Sequence, residues 1–156
     1  MATYQSTQAA TGRAHKSLIG SPGVQSACGV FTITTALAAN DVIQMLRIPA
    51  GATVLGGYLR ANDIDTGTEA LDIDIGWAAN GVDSADEDGF GNLGVWTGDV
   101  ITDLRPEAGV YFPLGGVLNS TGPKTFTVET VIQLDVNAGA NAGGTGSIWV
   151  VVDYVI

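Results

Sequence analysis

The clearest alternation in the chain is Leu71-Asp72-Ile73-Asp74-Ile75-Gly76-Trp77. A strand sends successive side chains to opposite faces, so Leu71, Ile73, Ile75 and Trp77 share one face and Asp72, Asp74 and Gly76 the other. On a helix the same residues would spread around the axis. The pattern predicts a strand with one buried and one wet face, as antiparallel sheets commonly show. Similar runs predict strands over 29–36, 42–48, 53–61, 69–77, 109–114, 124–136 and 147–156, with a short one at 100–104. In 124–136, Phe126, Val128, Ile132, Leu134 and Val136 point one way. In 147–156 both faces are largely apolar, which predicts a central strand.

Turn chemistry separates these runs. Pro49-Ala50-Gly51 breaks the chain between two strands, because proline lacks an N–H and glycine allows positive φ. Asn119-Ser120-Thr121-Gly122-Pro123 and the Gly/Ala/Asn run at 137–146 mark further turns. Residues 79–98 predict a long irregular loop, with one capped helical turn at 83–87 and Phe90 and Trp96 pinning it to the body. With no strong helix, the pattern predicts an all-β fold: a single antiparallel β-sandwich, jelly-roll-like. Residues 1–22 are polar and small without a clear period, and predict an N-terminal arm outside the core, leaving 23–156 as the sandwich domain.

A length of 156 residues fits one domain, large enough to hide roughly 68–70% of its unfolded surface without staples. The 22 glycines favour strands joined by tight turns over helices. No apolar run approaches the roughly 18 residues that a membrane span needs. The first residues lack the apolar core of a secretory signal. Charge is uneven. Residues 1–40 hold Arg13 and Lys16 and no acid, whereas the rest carries the remaining four basic and all 16 acidic residues, giving −10 overall. An acidic body repels phosphate, so nucleic acid is not an expected partner, and neither is a membrane.

Candidate chemistry is sparse. Gly89-Phe90-Gly91-Asn92-Leu93-Gly94 matches a dinucleotide-binding spacing, but that motif works only between a strand and a helix. Ser84, Asp86, Asp88 and Gly89 follow a calcium-loop spacing, yet its twelfth position is Val95, where a bidentate glutamate is required. His15 is the one histidine and lies in the arm, which removes histidine-based zinc sites and Ser–His or Cys–His nucleophiles. Cys28 is alone and reads as a small buried or half-buried residue. Asp72 and Asp74 read as solvent-facing acids rather than a glycosidase pair. No catalytic residue, metal or cofactor is expected.

The stretch from Ala36-Leu37-Ala38-Ala39-Asn40-Asp41-Val42-Ile43 through Ile48-Pro49-Ala50-Gly51-Ala52-Thr53-Val54 resembles small structural proteins of tailed phage virions. Leu71-Asp72-Ile73-Asp74-Ile75-Gly76, the acidic Asp83-Ser84-Ala85-Asp86 and the closing Trp149-Val150-Val151-Val152-Asp153-Tyr154-Val155 are similar too. The chain is thus similar to capsid decoration, or cement, proteins. The resemblance implies a sandwich on the outer surface of an icosahedral head, bridging capsomers. The partners would be the major capsid protein lattice and further copies of the chain, a trimer being the expected homo-oligomer. Within the arm, Tyr4, Arg13, His15 and Lys16 are the candidate partner-binding residues. Alternative readings are a tail or other accessory virion protein, and a carbohydrate-binding sandwich in which Tyr58, Trp77, Trp96 and Tyr111 stack on sugar rings.

Overall fold

The computed structural model describes residues 1–11, 23–62, 64–65, 68, 70–95, 109–142 and 145–156. Its strands are β1 (Thr3–Gln5), β2 (Gln25–Ile33), β3 (Val42–Ile48), β4 (Thr53–Asn62), β5 (Asp72–Trp77), β6 (Asp86–Val95), β7 (Gly109–Pro113), β8 (Lys124–Thr125), β9 (Thr130–Ala138) and β10 (Gly146–Val155). Two four-residue helices, α1 (Thr7–Ala10) and α2 (Val117–Ser120), complete the described elements. One five-stranded sheet, here sheet A, runs β1-β3-β9-β5-β6; the other, sheet B, runs β2-β10-β4-β7, with β8 also on β4. All pairings are antiparallel except β1 with β3. The chain is an all-β sandwich, as the alternation predicts.

Most consecutive strands change sheet, so the chain crosses over the core instead of forming hairpins; β5–β6 is the exception within sheet A. The break at Pro49-Ala50-Gly51 makes one such crossing, and Gly51 takes the positive φ, 84°, that the turn demands. A second crossing splits the run predicted over 124–136. Lys124 and Thr125 pair with β4 in sheet B, while Thr130 onward pairs in sheet A. Between them Phe126 exchanges backbone hydrogen bonds with Gly51 and Ala52 and drops into the core. Even-numbered positions face inward on both sides of the bend, so the alternation does not reveal it.

The core lies between the sheets. Ile43, Leu46, Ile48, Leu59, Leu71, Ile73, Ile75, Ile132, Leu134, Val150 and Val152 are fully buried. At one end Trp77, Phe90 and Phe126 meet edge to face, with centroids 5.1, 5.4 and 6.4 Å apart. The Lys124 ammonium rests 5.1 Å from the Trp77 ring and bonds Asp83 at 2.7 Å. That bond and one from Asn80 hold the Asp83 carboxyl below its ordinary range.

The predicted irregular loop over 79–98 is only partly a loop. Asn80 organises its start, accepting from the N–H groups of Val82 and Asp83. From Asp86 the chain is a ten-residue strand, β6, paired with β5. Glycine-rich, acidic sequence has low strand propensity. Here the glycines serve close approach: a Cβ at Gly89 would overlap the Trp77 ring, and one at Gly91 would press on Phe112. Phe90 anchors this segment in the core, while Trp96 and the strand predicted at 100–104 lie outside the described residues.

Asp65 joins two connections. It is buried and accepts from the backbone N–H groups of Ala70, Leu71, Asn141 and Ala142 at 2.7–3.2 Å. Burial alone would raise its pKa, but these donors outweigh burial and lower it. The β4–β5 link is thereby tied to the β9–β10 loop.

Candidate interaction surfaces

The first eleven residues are not a free arm. Thr3–Gln5 pair with Val42, Ile43 and Gln44, and so cover the β3 edge. Past the strand, a bulge between Gln44 and Leu46 breaks the register of β3 with β9. There Ser6 and Gln8 take over the edge. The Ser6 hydroxyl donates to the Met45 carbonyl and the Gln8 amide oxygen accepts from the Arg47 N–H at 2.9 Å. Ser6 also caps α1, accepting from the Ala9 N–H at 3.1 Å. Ala9 is 1% exposed. This part of the predicted arm therefore belongs to the body, because the β3 edge needs partners for its backbone groups.

Tyr4 is half-buried, with its ring 5.6 Å from that of Phe31, and its hydroxyl donates to Asp41. Asp41 also accepts from the N–H groups of Ala2 and Ala38. Burial opposes its ionisation, and the bonds from Ala38, Ala2 and Tyr4 more than compensate, lowering its pKa. Tyr4 anchors the N-terminal strand. Arg13, His15 and Lys16 lie outside the described residues, so the structure does not bring them together with Tyr4.

The outer face of sheet B is aromatic and aliphatic. Register places Val30, Trp149, Arg60 and Tyr111 in one row across β2, β10, β4 and β7, and Cys28, Val151, Tyr58 and Pro113 in the next. The Arg60 guanidinium stacks 4.5 Å over the Trp149 ring, and the rings of Tyr58 and Tyr111 stack at 5.3 Å. Cys28 is exposed here rather than packed away, because its even-numbered position on β2 points outward between the buried Ala27 and Gly29. β10 is the central strand predicted from its two apolar faces. Of the aromatics considered for sugar stacking, Tyr58 and Tyr111 share this face and Trp77 sits in the core.

The outer face of sheet A is acidic, and not as wet as alternation predicts. Asp74 is 5% exposed and Asp135 8%. They are direct partners across β5 and β9. The β6 strand folds over this face: at Gly76 a Cβ would overlap the Asp86 carbonyl. Gln133 donates to both Asp135 oxygens at 3.1 and 3.0 Å, and Asn137 donates to Asp74 at 2.8 Å. Burial nevertheless pushes the Asp135 carboxyl up to about 6, with Glu87 and Asp74 adding to the effect. Burial likewise raises Asp74, reinforced by Asp72 and Asp88. Asp86 is raised by burial and by Asp88. Sequence parity identified the face; the overlying strand was invisible to it. Among the described residues no group of histidine, cysteine or acidic side chains is arranged to hold a metal ion. No described helix is long and apolar enough to cross a membrane.

No family model matches the sequence, and no curated protein matches it. Solved structures do match the fold. A chain from the capsid of Ralstonia phage GP4 superposes with a TM-score of 0.74 and 20% identity, over 99% of this chain and 97% of that one. A chain from the capsid asymmetric unit of cyanophage Pam1 gives 0.63 and 20% identity, over 92% of each. A chain from the acidic stable capsid of Helicobacter pylori bacteriophage KHP30 gives 0.55 and 16% identity, over 85% of this chain and 87% of that one. The sandwich is thus a fold found in chains of phage capsids.

Proposed function

We propose that the chain is a structural component of a phage capsid, one that decorates the outer surface of the head and bridges capsomers. The observation that carries this reading is the overlap with the phage GP4 capsid chain, which leaves almost nothing of either chain unmatched. The sequence resemblance to decoration proteins across the strands and turns from Ala36 to Val54 supports the same reading. On this reading the chain is not an enzyme. Its partners are the major capsid protein lattice and further copies of itself, with a trimer as the working oligomer. Many weak copies held around a symmetry axis would raise avidity without new contacts. Arg13, His15 and Lys16 would add basic contacts, sensitive to salt.

The test uses heads that lack the protein. Purified chain added to them should co-sediment and appear as added density on the outer surface. Density on the tail would move the protein to the alternative, an accessory tail component, and absence from the particle would end the capsid reading. Deleting residues 1–22 is a poor probe of the basic segment, since it also strips β1 and α1 from the body. The double substitution Arg13→Ser and Lys16→Ser leaves those elements intact. It should weaken decoration several-fold at low salt and little at high salt; equal decoration at low salt would remove these residues from the contact.

A further inference from the structure

We propose that Lys124 and Asn80 join covalently in the folded chain, forming an isopeptide bond between Nζ and Cγ, with Asp83 carrying the protons and ammonia leaving. The inference concerns the chain's own maturation and does not depend on the capsid reading.

Lys124 opens β8 in sheet B, whereas Asn80 and Asp83 lie on the connection between β5 and β6 of sheet A. One carboxylate holds both nitrogens. Asp83 Oδ1 accepts from Lys124 Nζ at 2.7 Å, and Asp83 Oδ2 accepts from Asn80 Nδ2 at 3.1 Å. The Asn80 side-chain oxygen accepts from the N–H groups of Val82 and Asp83, at 2.9 and 2.7 Å. Two backbone donors on one carbonyl oxygen draw electrons from Cγ and would hold the negative charge that nucleophilic attack places there. The other Nδ2 hydrogen goes to Thr130 Oγ1 at 2.7 Å, and Thr130 is 1% exposed. Both donors and both lone pairs of this carboxamide are thus engaged, which fixes its orientation. The Trp77 and Phe126 rings flank Lys124, with centroids 5.1 and 5.3 Å from Nζ. The Trp77 indole N–H in turn donates to the Ser84 carbonyl at 3.0 Å, pinning the connection that carries Asp83.

The resting state is the ion pair of Lys124 and Asp83. Reaction begins when Asp83 takes a proton from the ammonium. The flexible lysine stem lets the freed amine swing to Asn80 Cγ. Its lone pair forms the Nζ–Cγ bond, and the carbonyl electron pair moves onto the Asn80 oxygen. Asp83 then passes its proton to Nδ2 and removes a second one from Nζ. The Cγ–Nδ2 bond breaks and ammonia leaves, taking that second proton away as ammonium. The carboxylate is restored, and one amide has been exchanged for another with no change of oxidation state. Amides resist amines in free solution, but groups held together in a reactive geometry reach effective concentrations of about 10⁵–10⁸ M. The product ties the β5–β6 connection to β8, and so one sheet to the other, at the end where Trp77, Phe90 and Phe126 pack. Such a bond restricts the unfolded chain as a disulfide does, and reductants leave it intact.

The test follows the intact mass of the purified full-length chain during prolonged incubation. The mass should fall by one ammonia. Cleavage after glutamate should then release residues 70–87 and 108–129 as one cross-linked species, with the link placed on Asn80 and Lys124 by fragmentation. Lys124→Arg keeps a positive charge opposite Asp83 but supplies no nucleophilic amine, and should lose no ammonia. Asp83→Asn keeps the shape without the proton carrier, and should slow the loss about a hundredfold or more. Circular dichroism checks that both variants fold, and both should melt below the linked wild type. A wild type that keeps its full mass and yields the two fragments separately would overturn the proposal, whatever the variants do. Ammonia loss that persists in Lys124→Arg would overturn it too, and would assign the loss to attack of the Gly81 nitrogen on Asn80 Cγ, forming a succinimide.

Discussion

Asp135 makes the stability of this protein depend on pH in the direction opposite to most carboxylates. Its pKa rises from 3.8 to about 6 on folding, chiefly through burial. Between those values the folded state holds a proton that the unfolded chain has lost. Stability is therefore highest below the window and falls as pH rises through it. A shift of about two units corresponds to about 3 kcal/mol at most, at about 1.4 kcal/mol per unit. Asp135 is still 8% exposed, and screening by solvent lowers the expected effect to about 1.5–3 kcal/mol. Asp74 and Asp86, both raised, add to the same slope. Asp41, Asp65 and Asp83 are lowered, so their contributions are lost only as pH falls below the ordinary carboxylate range. The perturbation is Asp135→Asn. Asparagine keeps the shape, and the Gln133 amide can turn to keep a bond. Urea unfolding followed by tryptophan fluorescence, at about pH 4.5 and about pH 7.5, gives the four stabilities needed. The wild type should lose stability from the lower to the higher pH. The variant should lose less, and at the higher pH should exceed the wild type by about 1.5–3 kcal/mol. A wild type that gains stability across this window, or a variant equally weakened at both pH values, would refute the reasoning.

Two further substitutions separate the core from the acidic face and the connections. Ile73→Ala, in the fully buried row of β5, should cost about 2–5 kcal/mol by urea unfolding, whereas Asp72→Asn should stay within about 0.5 kcal/mol. Asp65→Ala leaves the N–H groups of Ala70, Leu71, Asn141 and Ala142 without their acceptor and should cost about 3 kcal/mol or more. Amide exchange should then speed up at those four residues before the rest of the fold.

Alternation made the sandwich legible because both sheets bury one face of each strand. The run over 42–48 matches β3 residue for residue, and the inward rows of β5 and β9 are the predicted ones. What period two cannot express is a second element lying over the outer face. That is why Asp74 reads as wet and is buried, and why the glycines of β6 read as loop. It also cannot show a strand that changes sheet while keeping its parity, as at Phe126. The N-terminal residues gave no period because β1 is only three residues long and the edge beyond it is satisfied by side chains of Ser6 and Gln8. Of the candidate partner residues, Tyr4 is held within the chain by Phe31 and Asp41.

The run with the clearest alternation, residues 71–77, is not where the fold closes. β2 and β4 do not pair with each other; each pairs with one side of β10. In the other sheet β3 and β5 each pair with one side of β9. One arch, residues 130–155, thus supplies an interior strand to each sheet. Its loop is tied to two other connections: Ala140 donates to the Leu37 carbonyl, and Asn141 and Ala142 donate to Asp65. Neither sheet can assemble before this arch arrives, and closing such distant pairings costs loop entropy before contacts repay it, so folding should be slow. The same connectivity works in reverse. Opening either sheet requires withdrawing a strand whose neighbour in the chain is buried in the other sheet, so partial opening gains little freedom before the whole core is exposed. Resistance to unfolding then comes from connectivity as well as from burial, which suits a chain whose proposed place is a lattice that must outlast its assembly.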